Sequence, residues 1–215
     1  MLGQAAVTIW CDVAFEVREE FDDWHAHEHM PERLAIPGFL RGSRWVAEQG
    51  EGNFMLYEAA SEAAITAGPY LERLNNPTPW SRKMMPHHRN MVRGLCRVQA
   101  SYGSVLGQAL LTVRFSADAG LLSRALAAMP QRKGLVAAAL LRHIGQPAPP
   151  TTEQRLRGGE RTPEGIALVS GYSADAVATA AQELQGAAPG CIAGIYRLAY
   201  LLAATGYTGR PQEAA

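Results

Sequence analysis

The sequence predicts an α+β fold: two tandem ferredoxin-like βαββαβ repeats packed sheet to sheet around one barrel-like core. Three observations predict it. The 215 residues are 47% hydrophobic and 19% charged, enough to bury a sizeable core and unlike a disordered chain. The chain also resembles itself at an offset of 100. Gly94-Leu95-Cys96-Arg97-Val98 matches Gly194-Ile195-Tyr196-Arg197-Leu198, and Trp10 to Val13 lines up with Leu110 to Val113. Ser61-Glu62-Ala63-Ala64-Ile65 resembles Ser173-Ala174-Asp175-Ala176-Val177 at a longer offset. Finally, each half reads strand, helix, strand, strand, helix, strand, the order of a ferredoxin-like unit.

Taken in order, Val7 to Ala14 is rich in β-branched and apolar residues and predicts a strand. Residues 16–29 have helical spacing, with Val17, Phe21 and Trp24 on one stripe. Strands follow over 39–47 and 54–59, split by Gly50-Glu51-Gly52-Asn53. Ser61 is an N-cap for a helix to Leu74, which Asn76-Pro77-Thr78-Pro79 stops. Met91 to Gln99 is the last strand of repeat 1, which spans 1–102. Repeat 2, 103–215, gives strands near 106–115, 135–143, 166–172 and 191–202, with helices near 117–129 and 174–185. Its segment Gly145 to Pro163 holds four prolines, three glycines and a cluster of charges, and reads as a mobile loop.

Composition excludes several classes. Twenty Lys+Arg balance twenty Asp+Glu, so no basic surface points to nucleic acid or an anionic membrane. The longest apolar runs, Leu135–Leu141 and Leu198–Ala204, are far shorter than the roughly 20 residues of a membrane span. The N-terminal run lacks the basic residues of a leader, which predicts a cytoplasmic protein. Cys11, Cys96 and Cys191 are odd in number and widely spaced, and predict neither disulfide nor metal site. No GxGxxG, GxxxxGK[ST] or GxSxG string occurs, which disfavours nucleotide-dependent and serine-nucleophile chemistry.

One string is more specific: Phe21-Asp22-Asp23-Trp24, then Glu28-His29-Met30-Pro31, then Ile36-Pro37-Gly38-Phe39, with Pro77-Thr78-Pro79-Trp80 and Met84-Met85-Pro86-His87 further on. Residues 5–100 thereby resemble the EthD-like branch of the dimeric α/β-barrel superfamily. The second half lacks these strings and resembles the fold only. The resemblance implies paired ferredoxin-like units forming a barrel with a cavity. It leaves the reaction open, because the superfamily includes isomerases, cofactor-independent monooxygenases, decarboxylases, cyclases and haem enzymes.

The residues themselves nominate a site. On a helix, His25 and His29 lie on one face and His27 points away, so His25-x-His27-x-His29 does not predict a metal grip; His25 and His27 read as surface residues. Glu28 falls on the stripe of Val17, Phe21 and Trp24, where a carboxylate must be paired or face a cavity. Pro31 predicts a break just there, freeing His29 to turn toward the sheet. A neutral histidine beside a carboxylate is a general-base arrangement; the structural alternative is that Glu28 and His29 brace the helix end. By strand alternation Trp10 and Asp12 share a face, and with Thr112 and Arg114 they form a mixed polar and apolar ligand-binding lining. Arg97 and Arg197, and the loop residues His87, His88 and Arg89, read as structural or solvated.

These features predict a small-molecule enzyme with one cavity, in the first half: His29 as acid/base, Glu28 orienting it, and no cofactor or metal. Isomerisation, decarboxylation and cofactor-free oxygenation of a small apolar or aromatic catabolite all fit. The alternatives are a non-catalytic ligand-binding or accessory protein, and a haem protein with a histidine axial ligand. The chain is expected to be an intrachain pseudo-dimer that could also form a homodimer.

Overall fold

The computed structural model describes residues 1–48, 52–103, 105–116, 120–145 and 149–204. Eight strands run through it: β1 (Ala5–Asp12), β2 (Phe39–Ala47), β3 (Gly52–Ala59), β4 (Arg89–Tyr102), β5 (Ala109–Phe115), β6 (Leu135–His143), β7 (Gly165–Gly171) and β8 (Ile192–Ala203). They close into an antiparallel barrel in the order β1-β3-β2-β8-β5-β7-β6-β4. The fold is therefore an intrachain dimeric α/β barrel, as the sequence predicts. The halves are sewn together along both sides, by β2 on β8 and by β4 on β6.

Alternation along each strand separates two kinds of core. The barrel interior is filled by side chains of both halves, among them Ala6, Trp10, Trp45, Phe54, Leu56, Val92, Leu110, Leu141, Ile166 and Leu168. The outer faces carry the helices. In the first half these are α1 (Arg18–Trp24), α2 (Met30–Leu34), α3 (Glu62–Thr66), α4 (Gly68–Asn75) and α5 (Pro79–Met84); in the second, α6 (Gly120–Ala128), α7 (Thr152–Leu156) and α8 (Ala174–Ala187). The single helix read over 61–74 is thus two, split where Gly68-Pro69 opens a new one.

The ladders correct the internal alignment of the two halves. Ala5 lies opposite Ala59 and Ala109 opposite Gly171, so β5 answers β1 four residues further along than an offset of 100 places it. Thr8 therefore matches Thr112, and Trp10 matches Arg114. The offset of 100 does hold between β4 and β8. Each of these strands carries an irregularity in register, between Val98 and Ala100 and at Ala199. The extra residue flips the alternation, so Tyr200 and Leu202 leave the second half and pack against the helices of the first. The repeat extends to backbone strain: Gly38 and Gly134 both adopt φ near +91°, where an added Cβ would lie 2.7 Å from Ala64 Cβ and 2.5 Å from Ala176 Cβ.

The segment 145–163 differs from a plain polar loop. Residues 146–148 lie outside the described residues. The rest contains α7, opened by a capping box between Thr151 and Gln154, and it buries Glu153 and Arg157 against the first half. A paired Glu and Arg satisfy each other, so charge composition alone is a poor guide to exposure.

Candidate active site

Between α1, α2 and the outer face of the first-half sheet, the core turns polar. The helix starting at Arg18 does not stop before Pro31. It widens into a π turn over His25–His29, with the Met30 N–H bonding to the His25 carbonyl, and resumes as α2. The wider turn accommodates the proline, whose ring would clash within an unbroken α-helix. It also moves the buried stripe. His25 and His29 point at the sheet with ring centroids 5.7 Å apart, His27 is exposed, and Glu28 is displaced sideways.

His25 is buried, contrary to its assignment as a surface residue. Its Nδ1 lies 2.7 Å from the Tyr200 hydroxyl and its Nε2 lies 3.0 Å from the Tyr57 hydroxyl. Arg44 donates to the Tyr200 oxygen and to Asn53 Oδ1, and pairs with Asp22. A neutral His25 therefore donates to one tyrosine oxygen through one ring nitrogen and accepts the other tyrosine's O–H at the second. Tyr57 also lines a small cavity of about 10 Å³.

His29 lines the same cavity. Its ring packs on Trp24 at 4.4 Å, and its buried Nδ1 has no hydrogen-bond partner among the described residues. Burial, then the Arg33 guanidinium, holds the imidazole well below its usual range; burial and Arg44 do the same to His25. Both rings are therefore neutral at neutral pH. No hydrogen bond joins Glu28 to His29. The Glu28 carboxylate accepts from Thr78 Oγ1 at 2.6 Å and Ser81 Oγ at 3.3 Å, at the start of α5.

The remaining wall of the cavity is ionic. Arg33 pairs with Glu153, Arg157 with Glu153 at 3.2 Å and Glu160 at 3.0 Å, and Arg93 with Glu160 at 3.1 Å. Arg93 also donates to the Tyr70 hydroxyl at 2.7 Å. Three buried cations face two carboxylates, and among the described residues Arg33 Nη1 and Arg157 Nε have no hydrogen-bond partner. The site therefore carries excess positive charge and spare donors. The flanking His88, read from sequence as a solvated loop residue, is buried against Phe21 and Trp24, with its pKa held down to about 3 by burial and Arg157.

Asp12, Trp10, Thr112 and Arg114 form a separate group, because even-numbered residues of β1 face into the barrel and away from His29. Trp10 Nε1 donates to Thr112 Oγ1 at 3.1 Å, and the Arg114 guanidinium sits 5.0 Å over the Trp10 ring. Asp12, at the end of β1, accepts from Asn90 Nδ2 at 2.7 Å. Of the residues gathered here, the sequence reading singled out His29 and left out His25, Tyr57, Tyr200, Arg33, Arg44 and Arg93. The sequence did carry a signal for some of them, arginines inside otherwise apolar strands. Arg97, by contrast, pairs with Glu62 at the surface.

No family model and no curated protein matches the chain. Among solved structures, an anthrone oxidase-like protein superposes with a TM-score of 0.61 at 12% identity, covering 94% of both chains. A proposed monooxygenase from Fusobacterium nucleatum gives 0.60 at 8% identity, covering 94% of this chain and 96% of that one. Chlorite dismutase from Candidatus Nitrospira defluvii gives 0.50 at 9% identity over 91% and 92%. The likeness is one of fold, the dimeric α/β barrel. No helix among the described residues is long and apolar enough to cross a membrane.

Proposed function

We propose that this chain is an acid–base enzyme of the EthD-like branch, acting in the cytoplasm on a small, largely apolar or aromatic catabolite at the cavity of the first half. One observation carries the reading: a buried imidazole nitrogen without a hydrogen-bond partner among the described residues belongs to a histidine that lines one cavity with Tyr57, Arg33 and Arg157. His29 Nδ1 accepts a proton from a C–H or O–H made acidic by a neighbouring carbonyl. The resulting enolate or phenolate oxygen is held by the Tyr57 O–H and by Arg33, donors preorganised for negative charge. Proton removal of this kind is the first step of isomerisation and of cofactor-free oxygenation. Glu28 acts on the helix frame and not on the proton. A cavity of about 10 Å³ holds little more than a water molecule, so substrate binding requires α2 or the 153–160 wall to move.

Haem does not fit this site. The macrocycle would have to displace the buried Arg33–Glu153–Arg157 pairs.

Anthrone, the compound class in the name of one similar structure, supplies a test. Anaerobic exchange of its acidic C–H in D2O, followed by NMR, reads proton abstraction. Oxygen uptake reads the complete reaction, anthrone plus O2 giving anthraquinone plus water. His29→Gln should lower enzyme-dependent exchange by roughly 10²–10⁴, the usual contribution of one acid–base group. Exchange that the wild type accelerates and His29→Gln accelerates equally would remove His29 from the mechanism. No acceleration of exchange with any carbon acid of this size would favour the accessory-protein alternative.

A further inference from the structure

At one end of the barrel, on the opposite side of the sheet from His29, lies a second cavity of about 430 Å³. This is the size of a small-molecule site. Its cations are Arg114 and Arg161, its acid is Glu164, its hydroxyls are Ser116 and Thr162, and its apolar walls include Val92 and Phe115. Neither arginine forms an ion pair among the described residues, and the buried Arg114 Nε has no hydrogen-bond partner. Arg114 is held rigidly. It lies 5.0 Å over Trp10, whose ring is fixed by its bond to Thr112. A half-buried guanidinium on an aromatic shelf, without a counter-ion, is costly unless an anion completes it.

We propose that this barrel mouth binds a small organic monocarboxylate with an apolar ring. The planar fork of Arg114 matches a carboxylate in two-point geometry. Among the described lining residues, two cations against one acid leave one positive charge, matching a monoanion. The apolar walls receive a ring, which inorganic anions lack. This site is separate from the His29 cavity and stands whether or not that cavity is catalytic.

Cys191 lines the same mouth and reports occupancy, because Cys11 and Cys96 are buried. Iodoacetamide labelling of the full chain, quantified per cysteine by mass spectrometry, is to be run with benzoate, benzamide and inorganic phosphate. Benzoate should slow Cys191 alkylation at least about tenfold at saturation, with little effect from benzamide or phosphate. Arg114→Gln should raise the benzoate concentration needed by about tenfold or more, the loss of one charged hydrogen-bonding partner. Should that variant fail to fold by circular dichroism, Arg161→Gln, at the exposed rim, should raise it by a smaller factor. No protection by benzoate, or equal protection by benzamide, would overturn the proposal. Equal protection by phosphate would also overturn it, because the mouth would then be an inorganic anion site.

Discussion

The two halves share one backbone plan and differ in what lies beneath their helices. In the second half that space is filled by apolar side chains such as Leu111, Val113, Leu122, Leu126, Leu140 and Val169. In the first it holds the buried His25, His29, His88, Tyr57, Tyr70, Arg33, Arg44 and Arg93. The ladders match the positions one by one: Tyr57 answers Val169, Arg44 answers Leu140, Arg93 answers Ala193, and Tyr200 answers Ala100. Each of these four polar strand residues thus stands where the other copy uses a small or apolar one. The apolar copy shows what stability alone selects at these positions. The polar copy carries groups that cost desolvation and that the fold does not need.

The ionic wall offers the sharpest way to break this comparison. Glu153→Gln leaves the buried Arg33 without its carboxylate and Arg157 with Glu160 alone, and should cost about 3–5 kcal/mol in urea unfolding. A Glu153→Leu/Arg33→Met double variant should recover much of that loss while abolishing any activity. An unchanged unfolding midpoint in Glu153→Gln would mean that the wall is not structural. In the second half, Leu126→Ala should cost about 2–5 kcal/mol as a cavity mutation, yet leave proton abstraction per folded molecule unchanged. A loss of activity there in the folded protein would contradict the division of labour.

Acid should separate the halves next. His25, His29 and His88 are buried with pKa values below the ordinary 6.5. The unfolded chain therefore binds more protons below pH 6.5, and stability falls as pH drops from there toward the folded-state values. Each histidine adds at most about 1.4 kcal/mol per pH unit to this slope. His88→Gln should flatten the pH dependence of Tm between about pH 6 and 4, an effect read by scanning calorimetry. The smallest effect belongs to His27→Gln. The side chain is exposed, and the substitution should change stability by less than about 0.5 kcal/mol and leave proton abstraction intact.

Much of the fold was legible because period and repeat are carried by many residues at once. All eight strands appear near their expected places, and a four-residue error in aligning β5 with β1 did not disturb the topology. The site was less legible. His29 stood out because a proline and a carboxylate surround it in sequence. His25 did not, because its burial depends on a π turn that no periodicity of 3.6 describes. Tyr200 could not be found locally at all: an extra residue at Ala199 carries it from one half into the other. Glu153 sits in a segment whose proline and glycine content resembles a loop, and its partner Arg33 is 120 residues away.

Closure of the barrel has a consequence for mass action. Every strand has a hydrogen-bonded neighbour on each side, so no bare edge is offered to another chain. Two separate subunits joined by the β2·β8 and β4·β6 ladders would come apart on dilution. Here one polypeptide connects them, so the site keeps Glu153 in its cavity wall and Tyr200 on His25 at any protein concentration. Further copies could be added only through side-chain surfaces, leaving the barrel hydrogen bonds untouched.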